Sequence, residues 1–344
     1  LDDATLRLIR HAGPFHANER EKLAQLPARF SRCATQLAYF DVYDPEACGH
    51  KRAPTCSGDH WPSVSVVLPH RGRESTTARA LASVLASFRL YCGSGEVVLA
   101  RDGPALDETA AKRLTHLVER VAAHWEDIEV VETKARSMAA GYGDAVATGC
   151  RRATGDYVLL LNNDVTLAPL TLRVLAAHLN ARRSTAAVGA RLVDEHGDLQ
   201  EAGAVVFKDG GALQFSKIWG SSSPLFRYVR RVDYASAACL MVRSLLLAGG
   251  FDEVFRPAYY EDTDLAMRLR HSHYKAVDYN PFAVAVHEGS ATYSGDRAQE
   301  KERQMDRNRD TFVRKWSAQL TCHYTAHVPW ASRGAFLLAT RQSV

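Results

Sequence analysis

The sequence has no apolar run of the roughly 18 residues that a bilayer-spanning helix needs. Its best candidate, 237–251, is broken by Arg243 and the Gly249-Gly250 pair. No secretion signal opens the chain, which starts at Leu1. Were an anchor to precede Leu1, the expected setting would be the cytoplasmic face of a membrane or the Golgi lumen, with peripheral membrane association. A strong basic excess is also missing. The formal net charge is +4, which points away from nucleic acid as a partner. The seven cysteines include no zinc-type cluster, and their odd number excludes a purely disulfide-built scaffold. Cys48 and Cys56 flank a turn-rich stretch and would pair in an oxidising compartment. The alternative is seven reduced, mostly buried thiols. Repeats and low-complexity tracts are absent.

What is present is the composition of a globular protein, 46% hydrophobic and 24% charged. Residues 1–40 carry helical apolar spacing, and 44–62 are rich in proline and glycine. We read 1–60 as a helical extension with a linker. From Val64 onward strands and helices alternate. Strands are expected at Val64–Leu68, Glu96–Ala100, Ile128–Val131 and Tyr157–Leu161, with helices over 74–88, 105–124 and 142–152. This is the signature of an α/β fold with a mostly parallel sheet flanked by helices. Farther on we expect helices over 170–181, 263–271 and 297–316, strands near 187–193, 204–207, 237–242 and 276–286, and a functional or mobile loop over 208–224.

Such sheets bind ligands at the carboxyl ends of their strands. Asn162-Asn163-Asp164 follows one strand, where a carboxylate can hold a divalent cation or simply form a turn. Arg101-Asp102-Gly103-Pro104 follows another. Asp102 is either a turn former or an acceptor for a base N–H. Glu261, Asp262 and Asp264 stand before an apolar-periodic helix: either Asp262 or Thr263 is its N-cap, with the acids favoured by the helix dipole, or a carboxylate here is a general base. His287 ends a long apolar run before a glycine turn. Arg227, Arg230 and Arg231 beside the long loop are read as a solvated basic face.

Taken together and in order, these segments resemble the inverting GT-A glycosyltransferases of family 2, with a leaning toward rhamnosyltransferase-like members. The resemblance rests on VSVVLP (64–69), RDGP (101–104), GDYVLLLNND (155–164), GGFDEVF (249–255), YYEDTDLAMR (259–268) and HEGSAT (287–292). It implies a nucleotide-binding half at 61–165, an acceptor-binding half at 166–320 and a tail at 321–344. It further implies that Pro69, His70, Arg71, Asp102, Asn162 and Asn163 bind the donor nucleotide. Asp164 and His287 would hold Mn²⁺ or Mg²⁺, Asp262 would be the catalytic base, Glu261 would support it, and Arg227, Arg230 and Arg231, if not a solvated face, would contact diphosphate or acceptor. The implied partners are a UDP-, dTDP- or GDP-sugar donor and a glycan, glycolipid or glycoprotein acceptor. Asn162 stands where many members have Asp, and His70-Arg71-Gly72-Arg73 and Arg101 depart from the commoner turns. Two other readings stay open: a sugar nucleotidyltransferase, whose usual glycine-rich phosphate loop is missing after the first strand, and an inactive glycan-binding module.

Overall fold

The computed structural model describes residues 61–70, 74–101, 112, 129–133, 141–216, 226–247, 250–288 and 297–323. The N-terminal extension, Cys48 and Cys56, and all of the expected 105–124 helix except Lys112 lie outside them. The strands are β1 (Val64–His70), β2 (Gly95–Arg101), β3 (Glu129–Glu132), β4 (Tyr157–Leu161), β5 (Val165–Leu167), β6 (Thr185–Val193), β7 (Leu199–Glu201), β8 (Ala204–Val206), β9 (Ala212–Gln214), β10 (Arg230–Val232), β11 (Cys239–Arg243) and β12 (Ala276–His287). The helices are α1 (Glu74–Phe88), α2 (Tyr142–Arg152), α3 (Thr171–Ala181), α4 (Glu261–His271) and α5 (Arg297–Leu320).

One ten-stranded sheet runs in the order β10-β12-β6-β11-β4-β1-β2-β3, with β5 added to β12 and β7 to β6. β8, the strand expected near 204–207, forms a separate hairpin with β9, which lies inside the stretch expected to be a loop. Pairing is parallel from β3 through β4. β11 then runs antiparallel to both of its neighbours, β4 and β6. The reversal brings the start of β11 to the carboxyl ends of β1 and β4.

The strands alternate faces because successive side chains point to opposite sides of a pleated sheet. Val64, Val66, Leu68, Leu159 and Leu161 form one core with Leu81, Leu85 and Phe88 of α1 and Leu172, Leu175 and Leu179 of α3. Val67, Val98, Val158 and Leu160 form a second core with α2 and α4. β1 and β4 are buried along their whole length, as the unbroken apolar run of β4 requires, and Ser65, which interrupts that of β1, donates its hydroxyl to Glu96 Oε1 at 2.6 Å. A fully buried leucine contributes about 1.5–3 kcal/mol. Pro69 fits because the β4 ladder on β1 ends at Val67, so its missing N–H costs no pairing there.

Two of the sequence blocks are structural. Asp156 of the GDY segment accepts from Ser63 N and Oγ at 2.8 and 2.9 Å, clasping the starts of β4 and β1 far from the strand ends. In GGFDEVF, Gly250 has φ +70°, and a Cβ there would lie 2.9 Å from Ala147 Cα on α2. The next acid, Asp252, caps a 3-10 turn through Val254 N and pairs with Lys315 of α5 at 2.7 Å.

Several expectations change. Arg230 is neither a solvated cation nor free to meet a ligand: it is buried, its guanidinium 4.2 Å from the Phe215 ring centre, and it donates to Ala202 O at 2.6 Å. Strand alternation turns it inward while Arg231 points out. The cap of α4 is Tyr260, not Asp262 or Thr263. Cys92 is disulfide-bonded, so the thiols are not all reduced. Cys150 and Cys239 are free, and burial pushes Cys150 up to about 12 and Cys239 higher still, so neither is a thiolate at neutral pH. No helix among the described residues is long and apolar enough to cross a membrane.

Candidate active site

The turn after β4 and the end of β12 meet through β5. Val165 pairs with His287 in an antiparallel ladder, and Glu288 N donates to Asp164 O at 3.1 Å. This register sets His287 Nε2 3.4 Å from Asp164 Oδ1. Asp164 Oδ1 is buried without a hydrogen-bond partner, and so is Asn162 Oδ1. Buried oxygens are normally satisfied, so an unpaired carboxylate oxygen beside an imidazole nitrogen suits a cation. Among the described residues no three His, Cys, Asp or Glu side chains gather as a metal cage. Two protein ligands do fit an ion that takes its remaining oxygens from phosphates and water.

The lead-in to β11, residues 236–238, ties the other site groups together. Ser236 N donates to Glu201 Oε1 at 2.7 Å, and Ala237 N donates to Asp262 Oδ2 at 3.4 Å. The Tyr142 hydroxyl donates to Ala237 O at 3.2 Å, and Asn162 N donates to Ala238 O at 3.0 Å. Burial, reinforced by the negative charges of Glu261, Asp262 and Asp164, holds the Tyr142 phenol well above its usual range. Tyr142 thus remains a donor beside three carboxylates.

Asp262 sits in the first turn of α4, with Oδ1 accepting from Thr263 N at 2.7 Å. Burial raises its carboxyl above the ordinary aspartate range. Burial and the charge of Asp262 raise Glu261, whose Oε2 has no hydrogen-bond partner. Asp264 is different: fully buried, it accepts from Trp316 Nε1 at 2.8 Å and pairs with Lys315 and Arg268 at 2.7 and 3.0 Å. It fastens α5 to α4 and faces no ligand. Tyr259 and Tyr260, just before Glu261, have φ of 77° and 71°. Left-handed backbone at non-glycine residues costs on the order of 1–3 kcal/mol each and needs outside support. Asn308 of α5 supplies it, donating to the carbonyls of Phe255, Ala258 and Tyr259 at 2.8 to 2.9 Å.

Of the expected donor-binding residues, His70 is buried at the end of β1 with Nδ1 2.7 Å from Thr77 Oγ1. Asn163 Nδ2 donates to the same hydroxyl at 3.1 Å, so α1 joins the two strand ends. Pro69 and Asn162 lie on the same edge. Arg71 and Asp102 lie outside the described residues. Sequence reasoning missed Thr77, Tyr142, Gln200, Glu201 and Asn308. Glu201 is 3% exposed, and burial raises its carboxyl to about 7. A lone acid in a short polar strand carries no signal of this environment; only the pairing of β7 with β6 gives it one.

The sequence model described as Glycosyl transferase family 2 matches residues 65–246, more than half of the 344-residue chain. An uncharacterized protein of Sinorhizobium fredii, y4gI, is 26% identical over 74% of this chain and 28% of its own length. The O-antigen biosynthesis protein RfbC of Myxococcus xanthus is 28% identical over 60% of this chain and 16% of its own length. The chain thus spans under a third of either relative. A crystal structure of GalNAc-T7 with UDP, GalNAc and Mn²⁺ superposes with a TM-score of 0.49 at 14% identity, over 78% of this chain and 59% of that one. With its α/β sheet, and with the family match running from β1 through β11, the chain belongs to glycosyl transferase family 2.

Proposed function

We propose that this chain transfers a sugar from a nucleoside-diphosphate sugar to an acceptor hydroxyl by a single, inverting displacement. The observation that carries the reading is one edge of the sheet where Asp164 Oδ1, unpartnered, faces His287 Nε2 while Asp262 is held by the adjoining 237 amide. Asp164 and His287 would hold the divalent ion, and the nitrogen ligand favours Mn²⁺ over Mg²⁺. Bound there, the ion supplies Lewis-acid neutralisation of the charge growing on the departing diphosphate.

The chain's own residues do the rest. His70, Asn163 and Thr77 hold the ends of β1 and β4 in one arrangement, against which the donor is laid. Asp262 takes the acceptor hydroxyl's proton. Its raised pKa brings its basicity nearer neutral pH, which is where a general base works best. Glu261 stays protonated to a higher pH than an ordinary glutamate and lends Asp262 a donor-bearing neighbour. The relation to an O-antigen biosynthesis protein supports a deoxyhexose or hexose donor and a glycan, glycolipid or glycoprotein acceptor.

The test is release of nucleoside diphosphate from a panel of UDP-, dTDP- and GDP-sugars, with and without Mn²⁺. Release from at least one donor, abolished by chelator, is expected. Release of pyrophosphate from a sugar phosphate and a nucleoside triphosphate would replace this reading with nucleotidyl transfer. No turnover and no nucleotide binding would leave an inactive module.

A further inference from the structure

We propose that Gln200 is a positioning residue that fixes the His287 ring in the tautomer whose Nε2 faces Asp164. The inference rests on the reading of Asp164 and His287 as metal ligands. Gln200 lies between the buried Leu199 and Glu201 on β7, so its side chain leaves the opposite face of the strand. Its carbonyl is anchored by Ser216 Oγ at 2.6 Å. Its side-chain amide makes two contacts with one residue: Nε2 donates to the His287 carbonyl at 2.8 Å, and Oε1 lies 3.0 Å from His287 Nδ1.

Together these two contacts allow one solution. A carbonyl oxygen can only accept, so the NH₂ end of Gln200 must face it. The amide oxygen then faces Nδ1 and can only accept as well, so Nδ1 carries the proton. In the neutral ring Nε2 is left with its lone pair. That lone pair points at Asp164 Oδ1 across 3.4 Å, longer than the roughly 2.7–2.9 Å of a charge-assisted N–H···O bond, and Oδ1 has no hydrogen-bond partner. Two acceptors that face each other at this distance are a place for a cation. Flipping the amide would set oxygen against oxygen and lose the tautomer with it. Removing the amide leaves both tautomers open to the ring, and one of them turns an N–H toward the ion. Loss of an outer partner of this kind typically weakens metal binding about 10–100-fold.

The test uses the full 344-residue chain labelled with ¹⁵N-histidine. Long-range proton–nitrogen correlation of the metal-free protein at pH 8 reads the His287 tautomer, and Mn²⁺ uptake with pyrophosphate is titrated by electron paramagnetic resonance. Wild type should show Nδ1–H. Gln200→Leu should shift to Nε2–H or a mixture and bind Mn²⁺ about 10–100-fold more weakly. Gln200→Glu loses the bond to the His287 carbonyl but keeps an acceptor opposite Nδ1, and should retain the Nδ1–H tautomer. Melting curves accompany each variant, and Gln200→Met replaces Gln200→Leu if the latter does not fold. An unchanged tautomer and unchanged Mn²⁺ uptake in the apolar variant would overturn the role of Gln200 alone. Wild type that shows Nδ1–H yet takes up no Mn²⁺ would overturn the metal reading and this inference with it.

Discussion

His287 Nε2 lies 3.4 Å from Asp164 Oδ1, although one residue ends β12 and the other follows β4. What joins them is the three-residue β5, whose first residue pairs with His287. The two would act as a unit toward a divalent ion, and removing either should have the same consequence.

Asp164→Ala should therefore abolish Mn²⁺-dependent donor binding while leaving folding nearly intact. Of the two carboxylate oxygens it removes, Oδ1 has no hydrogen-bond partner to strand. A melting curve and a calorimetric titration with nucleoside diphosphate and Mn²⁺ check this. Wild-type binding in the variant, or full activity in excess chelator, would remove the metal role.

Asp262→Asn should lower turnover by about 10²–10⁴-fold, the usual contribution of a general base. The Asn oxygen can still accept from Thr263 N, so the start of α4 should hold. Donor and metal binding do not involve the proton transfer and should stay near wild type. Turnover, donor affinity and melting are measured on the same variant. Near-normal turnover would pass the role to Glu261, because Asp264 is already committed to Trp316, Lys315 and Arg268.

That commitment gives a third expectation. Asp264→Ala should destabilise the fold by about 3–5 kcal/mol, the cost of breaking a buried ion pair from one side. It leaves Arg268, Lys315 and Trp316 Nε1 without their shared acceptor and loosens α5, and with it the Asn308 bonds that hold the 255–259 turn. Denaturant unfolding reads the loss, and wild-type stability would refute it.

Glu201 predicts a pH dependence. Burial raises its carboxyl from 4.5 to about 7 in the fold. Between those values the native state binds the proton more tightly than the unfolded chain. Stability is therefore full below about pH 4.5 and falls as pH rises through about 7, by up to roughly 3 kcal/mol from this group. Glu201→Gln keeps an acceptor for Ser236 N and should flatten that fall, making the variant more stable than wild type at pH 8. Parallel denaturant titrations at pH 5 and pH 8 test it; equal slopes in the two proteins would exclude the effect.

Local pattern was enough to determine the elements whose side chains repeat. The apolar runs of β1 and β4 have no alternative to burial on both faces, and the period of Leu172, Leu175 and Leu179 makes α3 a helix with one buried side. The sequence also placed Asp164 and His287 at strand ends, because a run of apolar residues has to stop where the sheet meets water. It could not show β5, β7 and β10, three residues each, since so short a strand has no period to read and exists only through its partner. Nor could it separate the acids at 262 and 264, which differ only by where a helix turns them. Tertiary structure decided those points: Asp264 faces α5 and is spent on cations there, while Asp262 faces the amide of Ala237. It decided likewise that Arg230 is buried and that Gln200 reaches His287, because hydrogen bonds and stacking between distant segments depend on register, and register is a property of the assembled sheet.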